Sequence, residues 1–124
     1  MPTTLTAEMI ARLETQQNIW FCSVRPDGRP HLAPVWFVWH ASKLYIGTDP
    51  KSVKGRNLRT NPRVTLALED GAHPVICEGT AQPAATPLSE DLLAAFFKKY
   101  EWDLNKEAQY DLVVEVTPLK WLSW

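Results

Sequence analysis

From Ile19 onward the chain returns again and again to short runs of strand-forming residues, each cut off by a turn signal. That rhythm predicts antiparallel β structure and excludes a doubly wound sheet, which needs a long helix between strands. The runs are Ile19–Val24, Pro30–Trp39, Lys43–Thr48, Arg63–Glu69, Val75–Ala81 and Asp111–Thr117. Arg25-Pro26-Asp27-Gly28 closes the first, with Pro setting φ and Gly free to turn. His40-Ala41-Ser42, Asp49-Pro50 and Asp70-Gly71 mark later turns. In Arg63–Glu69, Val64, Leu66 and Leu68 face one way and Arg63, Thr65 and Glu69 the other, the period of a half-buried strand. Pro34 interrupts the second run. Proline cannot donate to a ladder, so an edge, a bulge or the approach of another group is expected there.

Helices are few and brief. Thr6–Gln16 has a Thr6 cap, an acidic first turn at Glu8, and Met9, Ile10 and Leu13 on one face. Ser52–Thr60 predicts about two turns, with Pro62 fixing the exit. Thr86-Pro87-Leu88-Ser89-Glu90 predicts a third helix capped by Thr86, with Pro87 at its first position. This helix is expected to bury Leu92, Leu93, Phe96 and Phe97, and Pro118–Trp124 reads as a tail. Six strands with short flanking helices make a mainly β, antiparallel barrel the economical fold, because closure removes exposed edges. With 124 residues, 45% hydrophobic, and no internal repeat or linker, residues 1–124 form one domain. A charged fraction of 22% argues against disorder. No apolar run approaches the ~20 residues of a membrane span. MPTTLTAEMIAR lacks the basic-then-apolar pattern of a leader, so a cytoplasmic protein without membrane contact is expected.

The net charge of -1 conceals an asymmetry. Residues 1–66 carry nine Lys/Arg and four Asp/Glu, and residues 67–124 carry four and ten. Lys51, Lys54, Arg56, Arg59 and Arg63 lie close together with no acid among them, a block that attracts anions or simply forms a solvated helix face. The acidic second half and a pI near 6.3 weigh against a nucleic-acid partner. Cys22 and Cys77 lack CxxC spacing and read as buried reduced thiols. His31, His40 and His73 form no ligand cluster, so no metal site is expected.

Gly47-Thr48-Asp49-Pro50-Lys51-Ser52 resembles a phosphate loop but has Pro50 where GxxxxGK[ST] needs Gly. The underlying physics persists: a strand ends at Thr48, and a helix begins near Ser52 with unsatisfied N–H groups. Thr48 and Ser52 hydroxyls add hydrogen bonds, and Lys51 or Lys54 supplies the counter-charge. A Ser-capped surface helix with no ligand accounts for the same residues.

A strand followed by Thr48-x-x-x-Ser52-x-Lys54-x-x-x-Leu58-x-x-Asn61-Pro62-Arg63-Val64 resembles the signature of the flavin-binding split barrels, the pyridoxamine 5'-phosphate oxidase-like superfamily. The likeness runs over nearly the whole chain, through Asp27-Gly28, Pro34-Val35-Trp36-Phe37, Ile76–Gly79 and Val116-Thr117-Pro118 to Trp124. It implies a six-stranded split barrel and a homodimer with two cofactor sites at the interface, each taking FMN or the deazaflavin F420. By the same resemblance Ser52 and Lys54 hold the cofactor phosphate, supported by Lys51, Arg56 and Asn57. Thr48 lies beside the flavin, and Pro34, Val35 and Trp36 pass along its ring.

The departures narrow the function. The family's name-giving oxidases continue past the barrel into a substrate-binding segment and carry an Arg and a Lys on the second strand. This chain stops at Trp124, and Leu32–Phe37 has neither cation, so vitamin B6 oxidation is not implied. Lys54-Gly55-Arg56-Asn57-Leu58-Arg59 is similar to the branch of F420-dependent reductases. Arg56 and Arg59 share a face of their helix, whereas Lys54 lies roughly 200° from Arg56, so these cations do not all serve one phosphate. FMN is expected, with F420 as the alternative. Trp36, Trp39, Trp121 and Trp124 either line a flat pocket or fill core and interface, and Trp20 and Trp102 are assigned to packing. No catalytic acid or base is singled out; His31, His40 and solvent are the available proton sources. The expected activity is hydride transfer between flavin and a small conjugated substrate. A non-catalytic flavin or haem carrier is the other reading.

Overall fold

The computed structural model describes residues 4–106 and 112–124. The elements are α1 (Ala7–Thr15), β1 (Asn18–Val24), β2 (Pro30–Trp36), β3 (Val38–His40), β4 (Lys43–Thr48), α2 (Val53–Asn57), β5 (Arg63–Leu68), β6 (Ile76–Pro83), α3 (Glu90–Tyr100) and β7 (Leu112–Leu122), with a 3-10 turn at Leu104–Lys106. The seven strands form one antiparallel sheet in the order β2-β1-β5-β6-β7-β4-β3.

This order dictates the shape. β2 and β3 are the two outermost strands, yet only Phe37 separates them in the chain. Laid flat, the sheet would set its edges roughly 29 Å apart, at about 4.8 Å per strand. One residue spans at most about 3.6 Å. The sheet therefore curls until its edges meet, and β2 comes to lie against β4. The result is a split barrel.

The strand count is one more than expected because the Pro30–Trp39 run divides at Phe37, not at Pro34. β2 continues through Pro34, which pairs with Trp20 of β1. As an edge strand bonded on one side only, β2 tolerates a residue without an N–H. The expected tail is also strand. β7 runs on to Leu122, and Pro118 is accommodated where the β6–β7 register shifts at Glu78/Gly79. Leu119 is the extra residue of that bulge and projects 70% exposed. The expected strand start at Asp111 lies outside the described residues. Thr6 caps α1 as expected, its Oγ1 accepting from the Met9 amide, but α3 is capped by Ser89 instead of Thr86. Ser89 places Glu90 and Asp91 in the first turn, where the helix dipole favours them.

The interior joins Ile19 and Phe21 of β1, Leu44 and Ile46 of β4, Leu66 of β5 and Val116 of β7, and Met9 and Leu13 of α1 close one end. A second apolar cluster sits outside the sheet. There Leu92 and Phe96 of α3 cover Val38, Tyr45 and Val113. No helix is long and apolar enough to cross a membrane among the described residues. Cys77 is buried and Cys22 only half-buried, both free; burial pushes the Cys77 thiol up to about 12.

Candidate functional site

The corner at Phe37 organises the site. Its amide donates to the Tyr100 hydroxyl at 3.0 Å, and its carbonyl accepts from Lys99 Nζ at 2.9 Å. With that carbonyl served by Lys99, the single Tyr100 proton is free for the Gln17 carbonyl at 2.6 Å. The end of α3 thus pins the point where the chain changes sheet edge. The Tyr100 ring lies flat on Trp36, with centroids 4.5 Å apart and planes 5° from parallel. Glu101 then adopts a left-handed conformation, φ 55°, and turns the chain back. Trp102 arrives edge-on to Trp36 at 5.6 Å and over Gly47. A side chain at Gly47 would meet that indole at 2.8 Å and force it to shift, so glycine here lets Trp102 close over the strand.

These pieces line an open groove of about 470 Å³, formed by Asn18, Pro34, Val35, Trp36, Gly47, Lys54 and Trp102. Its size suits a cofactor or small ligand. Lys54 is half-buried, and burial lowers its ammonium below the ordinary lysine value while Asp49 opposes the shift. No carboxylate of the described residues lies within ion-pair distance of it.

Of the residues expected in a site, Pro34, Val35, Trp36 and Lys54 are brought together in this groove. Thr48 is buried at the end of β4, its hydroxyl 3.4 Å from that of Ser52. Ser52 Oγ is engaged locally, accepting from the Gly55 amide at 3.1 Å and donating to the Asp49 carbonyl at 2.6 Å. The first-turn amides of Val53 and Lys54 meet no acceptor among the described residues. Lys51 and Arg56 are exposed and do not line the groove. Asn57 is buried and turned inward, its amide donating to Ser23 Oγ at 3.0 Å. Trp39 and Trp121 pack edge-to-face in the barrel, and Trp124 is exposed. Trp102 packs edge-on against Phe96 as expected and also walls the groove. Asn18 and Gly47 were not expected there: Asn18 is set opposite Trp36 by the β1–β2 pairing and Gly47 lies under Trp102, while Tyr100 backs the Trp36 ring.

Near α2, His31 of β2 stands opposite Ser23 of β1. Its Nδ1 is buried with no hydrogen-bond partner among the described residues. Burial, then the charges of Arg25 and Lys54, hold the imidazole below its ordinary value.

The curled sheet and groove define a flavin-type split barrel, and the family model for pyridoxamine 5'-phosphate oxidase matches residues 5–124. The chain belongs to that family, within the flavin-binding split-barrel superfamily. Solved structures agree in fold. A conserved hypothetical protein from Mycobacterium tuberculosis superposes with a TM-score of 0.77 at 24% identity, covering 99% of this chain and 86% of that one. HutZ, the haem storage protein of Vibrio cholerae, gives 0.80 at 16%, covering 98% and 95%. A protein described as an F420 reductase gives 0.72 at 22%, covering 90% and 94%. No curated protein matches the chain.

Proposed function

We propose that the chain is a flavin-dependent oxidoreductase that holds FMN along β2, with a second copy of itself completing the site. One observation carries the reading: a flat aromatic wall and a half-buried ammonium with no ion-pair partner among the described residues meet in one groove. Trp36, held rigid by Tyr100, suits a planar ring, and Lys54 suits a phosphate. Bound flavin would supply the hydride chemistry. The chain's own residues bind, orient and exclude water. The unpaired edge of β2 presents backbone N–H and C=O groups to a ring, while Trp36 and Trp102 shield it. No carboxylate or imidazole is among the lining residues, so protein acid–base catalysis is not part of the proposal.

The haem storage relative raises carriage as an alternative. Among the lining residues there is no His, Cys, Met or Tyr to act as an axial ligand, which favours flavin. A deazaflavin is the second reading, supported by the F420 reductase relative and by Arg56 and Arg59, whose exposed charges suit a longer anionic tail. For the homodimer, Trp20, Leu32 and Trp36 present exposed apolar surface beside the groove. Aromatic surface of this kind suits a two-fold contact. A small conjugated substrate would stack over the same wall.

Calorimetric titration with FMN tests the site. Lys54→Ala should weaken binding by roughly 2–5 kcal/mol, as expected for a desolvated charge pair that loses one partner. Lys98→Ala, on the exposed face of α3, should leave it unchanged. Equal affinities for the two variants would remove the phosphate assignment.

A further inference from the structure

We infer that His31 is a proton-taking anchor for the cofactor phosphate, donating from Nδ1 to a phosphate oxygen held between Arg25 and Lys54. The inference rests on the flavin reading above and concerns a residue outside the groove lining.

The geometry comes from strand register. His31 is paired with Ser23, whose hydroxyl accepts from Asn57 of α2. Asn57 and Lys54 are three residues apart and share the helix face turned toward β1. The imidazole, Ser23 and the lysine-bearing face of α2 therefore meet at one end of the barrel. Arg25 is held to the same place by a hydrogen bond from its guanidinium to the Pro30 carbonyl at 2.7 Å. Trp36 lies five residues along β2, an odd offset that turns its ring to the other face, so a ligand reaching from that ring to His31 crosses the free edge of β2, with Lys54 lining the way.

The chemistry comes from what is missing. A buried ring nitrogen without a partner is costly, and each one asks for an explanation. The charged groups facing it are Arg25 from the turn after β1 and Lys54 from α2; neither can accept a hydrogen bond. When Nδ1 carries the proton its absent partner is an acceptor, and the two cations beside it select an anion. Without an anion, burial and these cations keep the imidazole neutral at pH 7. A docked phosphate reverses the field and draws a proton onto the ring. Neither bond making nor redox change is involved: one proton moves from solvent to His31.

FMN and riboflavin, which differ by the phosphate, separate the outcomes. Proton-coupled calorimetry at pH 7 on the full chain, in buffers of different ionisation heat, should show uptake with FMN and none with riboflavin. By NMR, the His31 titration should move up by about one unit or more with FMN and stay in place with riboflavin. His31→Ala should weaken FMN binding and abolish the uptake. His31→Asn, which restores a donor without a titrating group, should recover affinity but not uptake. Riboflavin binding and circular dichroism, unchanged in both variants, exclude misfolding as the cause. FMN binding with the same uptake in wild type and both variants would overturn the inference while leaving the proposed function standing. If FMN does not bind at all, the proposed function falls. Titration against inorganic phosphate then decides the anion site: a raised His31 value upholds it, and an unmoved one overturns it.

Discussion

The two edges of the curled sheet are finished differently. At β3–β4–β7, α3 covers the outer face, so Leu44, Tyr45 and Ile46 are buried in succession on both sides of β4. At β1–β2 the end of α3 reaches the outside only at Tyr100 on Trp36 among the described residues, and Trp20, Leu32 and Trp36 stay exposed while Ile19, Phe21 and Val35 are buried. One edge is sealed and rigid. The other offers a free strand, an apolar face and the groove. The sealed edge serves the open one, because Tyr100 and Lys99 at the end of α3 reach across to fix Phe37 and flatten Trp36.

If α3 seals one edge by packing, its central anchor carries the largest effect. Phe96 is fully buried between Trp102 and the sheet, and Phe96→Ala should cost about 3–5 kcal/mol. Leu32→Ala on the open edge, 60% exposed, should stay within about 0.5 kcal/mol. Denaturant titration of both variants checks the contrast; similar losses would mean that the β1–β2 face is packed after all.

The hydroxyl of Tyr100 is the next step down. Tyr100→Phe keeps the stack on Trp36 but leaves the Phe37 amide and the Gln17 carbonyl without that partner. A loss of about 1–3 kcal/mol in stability is expected. An unchanged midpoint in denaturant would show that water replaces the hydroxyl at the corner.

Much of this molecule was legible in local sequence. Turn residues bounded the strands, Thr6 capped α1, and the family resemblance singled out Pro34, Val35, Trp36 and Lys54, which the fold brings into one groove. The misses share a cause, which is distance along the chain. Pro30–Trp39 reads as one strand because local alternation does not record that the two halves join opposite sheet edges. Pro118 suggests an end to β7, but its place opposite Gly79 depends on a bulge set by another strand. Trp102 becomes a groove wall only because α3 returns over β4. Thr86-Pro87 makes the stronger local start signal, yet tertiary packing begins α3 one turn later at Ser89. His31 carries no motif; its unpaired nitrogen appears only when Ser23 and α2 are placed beside it.

The open edge, if it meets a second copy, should respond to charge without loss of fold. Leu32→Glu places a carboxylate on the exposed face of β2 and should leave the circular dichroism of the wild type in place, while the denaturation midpoint falls by the stabilisation that the second copy supplied. Light scattering should then report a monomer where the wild type is a dimer. A dimer that survives this substitution would move the contact elsewhere on the barrel.

The smallest expected effect lies at the junction of the two edges and is read against pH. Burial pushes the Lys99 ammonium down to about 8, and its donors are spent on the Phe37 and Leu13 carbonyls and the Phe37 ring. Unfolded, the same group holds its proton to the ordinary lysine value of 10.5. Between these values the unfolded chain binds the extra proton, so this group makes stability rise with pH. Below about 8 both states are charged and its contribution is flat. Cys77 works against the rise from pH 9 upward and Tyr45 and Tyr100 from pH 10, because burial holds their protons in the folded state up to about 12. The clean window is therefore pH 8 to 9, and the comparison is wild type against Lys99→Met, which keeps those opposing groups. The wild type should gain stability across that window relative to the variant. Parallel curves would mean that Lys99 stays solvated and that Tyr100 alone ties the sealed edge to the open one.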